Sequence, residues 1–544
     1  MRGGHPVGAR VGVPTYAYPM TASARSASTG SARRATGRSS GQLTLGRWVR
    51  DRAVVTPARV AIEHRGERTT YAELDARSER LADALLRLGL RRGDRVASLT
   101  GNRPEHVELF FACAKAALVL APLSWRLAPA ELAYQLAHAE PAILFVEPEH
   151  DSLADAALEL AASRPRRLAL ARAELDALTQ PAATTSHDVA ADDDDLLLLY
   201  TSGTTGRPKG ARLTHRNCFW TNLSFDRTAD LSATDVVLQL LPQFHVGGWN
   251  VQPLLAWWKG ATVVLESRFD PARALELIER RRITTMMGVP ATYLFMAGEP
   301  RFADADLSSL RRAIVGGAPM PEPLLRTWRD RGVEIVQGYG LTEASPNVLC
   351  LAPEDAMRRL GWAGKPYPHV DVALADTTSG TLIDGRGSGE LLVRGPNVFA
   401  GYWHDREGTR ASVRDGWLHT GDIAERDAEG FYRIRDRLKD MYISGGENVY
   451  PAEVEATLHE HAAVADAAVI GVPDQRWGEV GVALVVVHPG ARIVEQELLA
   501  HCRGRLAAFK APHVVRFADE LPRSASGKLL KQELRDRFSP GRAR

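Results

Sequence analysis

The sequence has few cysteines and no long apolar run. Its 544 residues include only four cysteines, which lie far apart and form no CxxC pair. So few thiols exclude a disulfide-stabilised scaffold and are typical of a reduced, intracellular protein. No apolar stretch approaches the roughly 18–20 residues that a membrane-spanning helix needs. We therefore expect a cytoplasmic protein with no transmembrane segment.

A strong net charge is also missing. The 68 Lys and Arg residues nearly balance the 66 Asp and Glu residues, which leaves a formal net charge of +2. Overall charge thus gives no indication of nucleic-acid binding. No acidic residue precedes Asp51, however. Residues 1–42 are rich in Arg, Ser, Ala and Gly, so we predict a disordered basic tail, although an organelle transit peptide has a similar composition.

Lysine is scarce in this chain. Arginine supplies 60 of the 68 basic residues, which leaves only eight lysines. A lysine carries a compact ammonium on a flexible stem, whereas an arginine carries a planar fork of donors. In a chain with so few lysines, we expect them at positions that need the compact ammonium. The eight lysines are Lys115, Lys209, Lys259, Lys365, Lys439, Lys510, Lys528 and Lys531.

Helical and strand-like patterns alternate from Leu43 onward. Helical patterns over Tyr71–Leu88 and Pro104–Val119 are interleaved with short apolar runs, which predicts α/β layers around largely parallel sheets. After about Gly380, closely spaced glycines separate short apolar segments, which predicts antiparallel hairpins or a small barrel. A further mixed pattern after Arg437 indicates a separate α+β unit of about a hundred residues.

These patterns divide the chain into four predicted parts. Residues 1–42 form the basic tail, and residues 43–436 form a large body of several subdomains with parallel sheets and a small β-barrel-like part. Residues 437–440 form a hinge. Residues 441–544 form a small, mobile α+β domain.

The strongest local signal covers residues 196–210. The apolar run Leu196–Tyr200 leads into TSGTTGRPKG, which begins at Thr201. A buried strand followed by Gly, Ser and Thr presents backbone N–H groups and hydroxyls to an anion, and Lys209 adds positive charge. The loop is not a Walker motif, because Pro208 stands where that motif needs glycine. We predict a phosphate-binding loop.

Further motifs follow in a characteristic order. They are Gly316–Pro319 (GGAP), Gln337–Glu343 (QGYGLTE), His419–Asp422 (HTGD), Arg437–Asp440 (RLKD), Ser444–Asn448 (SGGEN) and Pro522–Lys528 (PRSASGK). From about Leu43 onward the chain resembles the adenylate-forming superfamily, most of all its fatty-acid and aryl-acid CoA ligases. The resemblance implies an AMP-binding N-terminal domain, a C-terminal domain that rotates, and ATP, Mg²⁺ and coenzyme A as cofactor and co-substrates.

The implied reaction joins a carboxylic acid to the α-phosphate of ATP, releases pyrophosphate, and then transfers the acyl group to the thiol of CoA. Two anions must be brought together, and the charge on the phosphoryl oxygens must be offset. The resemblance gives this catalytic role to Lys528. It implies that Glu343 and Thr201 bind Mg²⁺ and that Asp422, with Arg437 beside it, binds the ribose.

The resemblance assigns most site residues to the nucleotide. ATP and AMP are expected to contact Thr201, Ser202, Gly203, Thr204, Thr205, Gly206, Lys209, Gly317, Ala318, Pro319, Gln337, Gly338, Tyr339, Gly340, Thr342, Asp422 and Arg437.

The acid is expected to lie beside His245, Gly247 and Gly248. By resemblance, His245 stands at the mouth of the acyl pocket and has a catalytic role; an ordinary structural histidine is the alternative. Amino-acid-activating relatives carry Phe-Asp here, whereas this chain has Phe244-His245, so an α-amino acid is not expected. The presumed pocket comprises His245–Trp249, Met286–Tyr293, Gly316–Pro319 and Gly338–Ala344. It is apolar and contains glycines, which permits a fatty or an aryl acid.

The thioester half-reaction is assigned to the C-terminal part. The resemblance implies that Gly445, Gly446 and Lys510 bind CoA and that Lys439 is the hinge. One alternative is a ligase that passes the acyl group to a carrier protein, although no insertion near the hinge supports it. Another is a non-catalytic nucleotide-binding protein, against which the intact motifs argue. The expected partners are small molecules and not nucleic acid; a homodimer is left open.

Overall fold

The computed structural model describes residues 41–180, 189–201, 208–318, 320–356, 358–438, 440–444, 447–474, 476–506, 508–523 and 529–538. These residues belong to one compact unit. Within them no helix has both the length and the apolar character that a bilayer crossing requires.

Helices occur throughout the described residues. They are α1 (Gly46–Val55), α2 (Tyr71–Arg87), α3 (Pro104–Ala116), α4 (Pro129–Ala139), α5 (Asp151–Leu160), α6 (Arg172–Leu178), α7 (His215–Ala229), α8 (Gly247–Asn250), α9 (Pro253–Lys259), α10 (Pro271–Arg281), α11 (Pro290–Gly298), α12 (Glu322–Asp330), α13 (Pro353–Ala356), α14 (Arg406–Ser412), α15 (Pro451–His459), α16 (Glu495–Arg503) and α17 (Lys531–Phe538). Single 3₁₀ turns cover Pro148–His150, Pro300–Ala303 and Thr342–Ala344.

Strands alternate with these helices. They are β1 (Val60–His64), β2 (Glu67–Thr70), β3 (Arg95–Leu99), β4 (Val119–Leu123), β5 (Ile143–Val146), β6 (Arg166–Ala169), β7 (Asp195–Thr201), β8 (Lys209–Thr214), β9 (Val236–Gln239), β10 (Thr262–Leu265), β11 (Thr285–Gly288), β12 (Arg312–Val315), β13 (Ile335–Gly340), β14 (Asn347–Cys350), β15 (Lys365–Pro366), β16 (Asp371–Ala375), β17 (Leu382–Ile383), β18 (Gly387–Arg394), β19 (Val413–Arg414), β20 (Trp417–Arg426), β21 (Tyr432–Arg437), β22 (Tyr442–Ser444), β23 (Glu447–Val449), β24 (Val464–Asp474), β25 (Gly478–Val487) and β26 (Val514–Phe517).

Helix boundaries follow local capping chemistry. The Thr70 hydroxyl accepts a hydrogen bond from the Glu73 backbone N–H, and the Glu73 carboxylate accepts one from the Thr70 backbone N–H, so α2 begins with a capping box. The predicted helix over Pro104–Val119 is wrong at its end. Ala117 adopts the left-handed conformation (φ 56°), which stops α3, and Val119 begins a strand.

Two mainly parallel sheets form the body. One has the strand order β15-β14-β13-β12-β11-β9-β10-β1-β2, and the other has the order β6-β5-β3-β4-β7-β8. Antiparallel pairs occur at their edges, where β2, β14, β15 and β8 join. Strands buried on both faces read as continuous apolar runs, as in Leu196–Leu199 of β7, which is fully buried.

Two further sheets complete the fold. Strands β16 to β21 form an antiparallel sheet in the order β17-β16-β18-β20-β19, with β21 also paired to β20. After it, β22 to β26 form a mixed sheet that packs against α15, α16 and α17. The α/β fold class with parallel sheets, an antiparallel barrel-like sheet and a small C-terminal α+β part is confirmed.

Candidate active site

Three glycines of the predicted site meet where parallel strands end. Val315, the last residue of β12, pairs with Gln337 of β13, so Gly316 follows β12 directly beside Gly338. A Cβ atom built on Gly316 would lie 2.9 Å from Cε of Met287 and 3.5 Å from the Gly338 carbonyl oxygen. Gly317 has a φ of +81°, which favours glycine. The carboxyl edge of a parallel sheet is where such folds bind ligands.

Glu343 lies in the 3₁₀ turn Thr342–Ala344, and its side chain reaches toward the sheet that contains β7. Its Oε1 accepts a hydrogen bond from the Tyr402 hydroxyl at 2.8 Å and one from the Thr201 hydroxyl at 3.4 Å. Thr201 is the last residue of β7, immediately before the glycine-rich loop. The structure therefore brings together the two residues that the sequence predicts as metal ligands.

These two residues suit a magnesium ion bound with a polyphosphate. The described residues contain no cluster of three or more His, Cys, Asp or Glu side chains that could hold a metal by themselves. One carboxylate and one hydroxyl are nevertheless a fitting donor set, because Mg²⁺ prefers oxygen ligands and completes its shell with water and substrate phosphates. When bound, the ion would offset the negative charge of the phosphates.

Lys209 begins β8, on the far side of the glycine-rich loop. Its Nζ lies 2.8 Å from Oδ2 of Asp405 and 5.0 Å from the centre of the Tyr402 ring. Asp405 also caps α14, because its Oδ1 accepts a hydrogen bond from the Gly408 backbone N–H at 2.6 Å. A Cβ atom on Gly408 would lie 2.5 Å from the Lys209 Nζ, so the ammonium is closely enclosed.

Asp422 lies on β20 and is only 4% exposed. The Tyr339 hydroxyl donates to its Oδ2, and the Arg437 Nε lies 3.2 Å from its Oδ1, since Asp422 and Arg437 pair across β20 and β21. Burial, followed by the negative charge of Asp422, raises the pKa of Tyr339 far above its usual range, so the phenol remains a donor. A carboxylate offers about four acceptor positions, so Asp422 keeps acceptors for another ligand.

The side chain of Gln337 bonds to the backbone of two neighbouring loops. Its side-chain carbonyl accepts from the Met320 backbone N–H and its amide donates to the Trp362 carbonyl, both at 3.4 Å. These contacts hold the loops that flank β13. Ala318, by contrast, is exposed after β12.

His245 follows β9 in the turn before α8. Burial lowers the pKa of its imidazole to about 4, and the charge of Arg126 acts in the same direction, so the ring is neutral at physiological pH. Its Nε2 is inaccessible and has no hydrogen-bond partner among the described residues, although the residue as a whole is half-buried. Gly248 is required nearby, because a Cβ there would lie 2.3 Å from the Pro242 carbonyl oxygen.

Lys510 forms an ion pair in the C-terminal part. Its Nζ lies 2.9 Å from both carboxylate oxygens of Glu453. Both residues line a cleft of about 590 Å³ between the antiparallel sheet and the C-terminal part, with Arg386, Arg426 and Arg435 on its other side. Glu425 and Asp427 also line the cleft, so it carries charges of both signs.

Several predicted residues lie outside the described residues. They are Ser202, Gly203, Thr204, Thr205, Gly206, Pro319, Lys439, Gly445, Gly446 and Lys528.

Tyr402 and Asp405 are two site residues that the sequence analysis missed. Both follow Gly401 in the segment GYWHD. This cluster of aromatic and charged residues after a glycine-rich region is the signal that could have drawn attention to them.

Family models match most of the chain. The model of AMP-binding enzymes matches residues 49–403. The chain belongs to the AMP-binding enzyme family. The model of the AMP-binding enzyme C-terminal domain matches residues 453–528 of this AMP-binding enzyme.

Curated relatives and a solved structure are similar over nearly the whole length. A feruloyl-CoA synthase of an Amycolatopsis species is 46% identical over 91% of this AMP-binding enzyme and 99% of the relative. An indoleacetate–CoA ligase of Aromatoleum aromaticum is 40% identical over 91% of this chain and 98% of the relative. A solved structure with a TM-score of 0.81 and 34% identity is the o-succinylbenzoate-CoA synthetase of Bacillus subtilis in complex with its acyl-adenylate intermediate. The match covers 91% of this chain and 98% of that chain.

Proposed function

We propose that this AMP-binding enzyme is an ATP-dependent acid–CoA ligase for aryl acids. The carboxylate oxygen of the acid bonds to the α-phosphorus of ATP, and the bond to pyrophosphate breaks. The CoA sulfur then bonds to the acyl carbon, and AMP leaves. The observation that carries the proposal is that residues of the family motifs meet in two pairs, Thr201 with Glu343 and Asp422 with Arg437, and that Tyr339 of β13 contacts the second pair. Relatives named as CoA ligases support it.

The nucleotide is assigned to two adjoining groups of residues. Thr201, Lys209 and the intervening glycine-rich loop would receive the phosphates, while Gly317 to Pro319 and Gln337 to Thr342 would face the base. For Gln337, backbone groups carry this role, because its side chain bonds to neighbouring loops. Asp422 would accept from the ribose hydroxyls, with Arg437 compensating its charge.

Mg²⁺ belongs to the proposal as a cofactor held by Glu343 and Thr201. Oε1 of the Glu343 carboxylate accepts from the Tyr402 and Thr201 hydroxyls, and the other carboxylate oxygen would bind the ion. The ion supplies positive charge where the phosphoryl oxygens carry negative charge. The Tyr402 hydroxyl, at 2.8 Å, restricts the carboxylate, so less ordering remains when the metal–nucleotide complex binds.

Lys528 would offset charge during adenylation, when both the acid and the α-phosphate are anions. In the second half-reaction, Gly445, Gly446 and Lys510 would face CoA after the C-terminal domain rotates about Lys439. Four basic side chains, with three carboxylates among them, line the cleft at Lys510, and the basic ones would meet the phosphates at the nucleotide end of CoA.

An aryl acid suits the floor of the predicted acyl pocket. Gly316 and Gly338 lie side by side, and the Met287 methyl lies close to Gly316. Glycine at both positions would let a flat ring lie against the backbone. His245, neutral at physiological pH, would lie at its mouth without repelling or attracting the carboxylate by charge. Two of the curated relatives are named for acids that carry an aromatic ring, as feruloyl-CoA synthase and indoleacetate–CoA ligase.

A cytoplasmic location belongs to the same proposal. The four cysteines are all free, and three of them are buried, as in proteins of a reducing compartment.

Pyrophosphate release and CoA-thioester formation should be measured over a panel of acids, with no carrier protein present. Substituted cinnamates and aryl acetates should give kcat/KM values at least about tenfold above those of fatty acids, since shape mismatch in a pocket costs about 1–3 kcal/mol. Pyrophosphate release without a CoA thioester would instead favour the carrier-protein ligase. A clear preference for fatty acids would refute the aryl assignment.

One pair of variants tests the pocket itself. Gly316→Ala places a Cβ atom 2.9 Å from Cε of Met287 and should reduce kcat/KM for the best aryl acid more than that for small acids. Gly298→Ala is the matched control, because a Cβ atom there meets nothing within 4 Å. Equal effects of Gly316→Ala on all acids would place the acid elsewhere.

A further inference from the structure

Tyr402 lies at a junction between the two parallel sheets. The Trp403 backbone N–H donates to the Gly210 carbonyl at 2.7 Å, and Ala211 of β8 forms a bridge with Tyr402. On the other side, the Phe399 backbone N–H donates to the Glu343 carbonyl at 2.9 Å. The segment that carries Tyr402 is therefore fixed by its backbone to both elements that flank the predicted phosphate site.

The Tyr402 side chain contacts two oppositely charged groups. Its hydroxyl donates to Oε1 of Glu343 at 2.8 Å, and its ring lies 5.0 Å from the Lys209 Nζ. The Lys209 ammonium is held from its other side by Asp405, three residues further along the chain. One short turn thus holds both the predicted metal ligand and the lysine of the glycine-rich loop.

Hydrogen bonds to a carboxylate are stronger and shorter than bonds between neutral groups. The bond from Tyr402 restricts rotation of the Glu343 carboxylate, which has three rotatable bonds and would otherwise sample many orientations. The Thr201 hydroxyl, at 3.4 Å from the same oxygen, is too distant to fix the carboxylate as firmly.

We propose that Tyr402 is a positioning residue for nucleotide binding, which holds Glu343 in the orientation that accepts Mg²⁺ and aligns it with Lys209. This inference rests on the proposed function, because it takes Glu343 as the metal ligand. It adds a residue that touches neither the metal nor the nucleotide and acts through Glu343.

The test compares ATP binding by calorimetry with saturating Mg²⁺ and with EDTA, in the full-length protein without acid or CoA. Tyr402→Phe removes only the hydroxyl and keeps the ring beside Lys209. We expect it to weaken ATP binding about tenfold in the presence of Mg²⁺, as for the loss of a hydrogen bond to a charged group, and to leave binding in EDTA unchanged. Tyr71→Phe is the control, because Tyr71 is buried and its hydroxyl donates to the Ala261 carbonyl, remote from the site.

A double-mutant cycle separates positioning from general stabilisation. In a Glu343→Gln background, Tyr402→Phe should cause no further loss of Mg²⁺-dependent ATP binding, because its effect passes through the Glu343 carboxylate. Additive losses, or an equal loss in Mg²⁺ and in EDTA, would overturn the proposal. Since no acid takes part, an inactive acid panel would count against the proposed ligase function and leave this inference standing.

Discussion

Asp436 is buried where the antiparallel sheet meets the C-terminal part. It lies on β21, is 8% exposed, and accepts hydrogen bonds from the backbone N–H groups of Arg437 at 2.7 Å and Ala452 at 2.8 Å. Lys531 and Glu455, an ion pair at 2.8 Å, lie close enough to influence it. Burial outweighs the favourable charge of Lys531 and raises the pKa of Asp436 from 3.8 to about 6.

The sign of the pH effect follows from this pKa. Between about pH 4 and pH 6, the folded chain binds a proton at Asp436 more readily than the unfolded chain does. The contribution of Asp436 to the free energy of unfolding therefore falls as the pH rises through this window and stays constant above it. A pKa rise of about two units corresponds to about 3 kcal/mol.

Urea denaturation of the wild type and of Asp436→Asn from pH 4 to pH 8 measures this effect. Asn cannot accept both backbone hydrogen bonds, which adds an offset that does not depend on pH. The difference in free energy of unfolding, wild type minus variant, should fall by about 2 kcal/mol between pH 4 and pH 6.5 and then remain nearly level. Asp519→Asn, at an exposed position, serves as the control. A level or rising difference across the window would refute the reasoning.

Two further predictions separate the half-reactions in single-turnover experiments. Lys528→Ala should slow acyl-adenylate formation at least about a hundredfold, as expected for the loss of one group that stabilises developing charge. It should slow the transfer from supplied acyl-adenylate to CoA much less. Equal losses in both half-reactions would refute the role of Lys528. Lys439→Pro fixes φ near −65° and removes a backbone donor, so it should spare adenylation and slow thioester formation strongly. Equal slowing of both steps, or of neither, would exclude Lys439 as the hinge.

The scarcity of lysine proved informative beyond the motifs. Lys115 is 1% exposed, and its Nζ lies 2.6 Å from Asp75 and 2.9 Å from Glu79. Lys531 is paired with Glu455 in a similar way. Both occupy positions where one compact ammonium meets carboxylates in a confined space, as the argument from composition predicts. Their structural role was not predicted, because their acidic partners are distant in sequence. Glu79 lies 36 positions from Lys115, and Glu455 lies 76 positions from Lys531.

Periodicity by itself predicted the fold class, which the structure confirms. The glycine-rich pattern predicted a phosphate loop, and the order of the motifs, through the resemblance to a family, predicted the candidate residues Glu343, Asp422 and His245. These signals are local: a buried strand, a run of glycines and hydroxyls, or a short string of residues contains all the information that identifies them. The sequence also indicated the change from parallel to antiparallel sheets, because glycine spacing changes with turn type.

Only the tertiary structure decided how these residues meet and which others join them. Tyr402 reaches Glu343 across 59 positions of sequence, and Lys209 reaches Asp405 only because the segment after Phe399 pairs with β8. Whether His245 is charged depends likewise on burial by other elements. Long-range strand pairing and desolvation arise from the packing of the whole chain, and no local pattern encodes them.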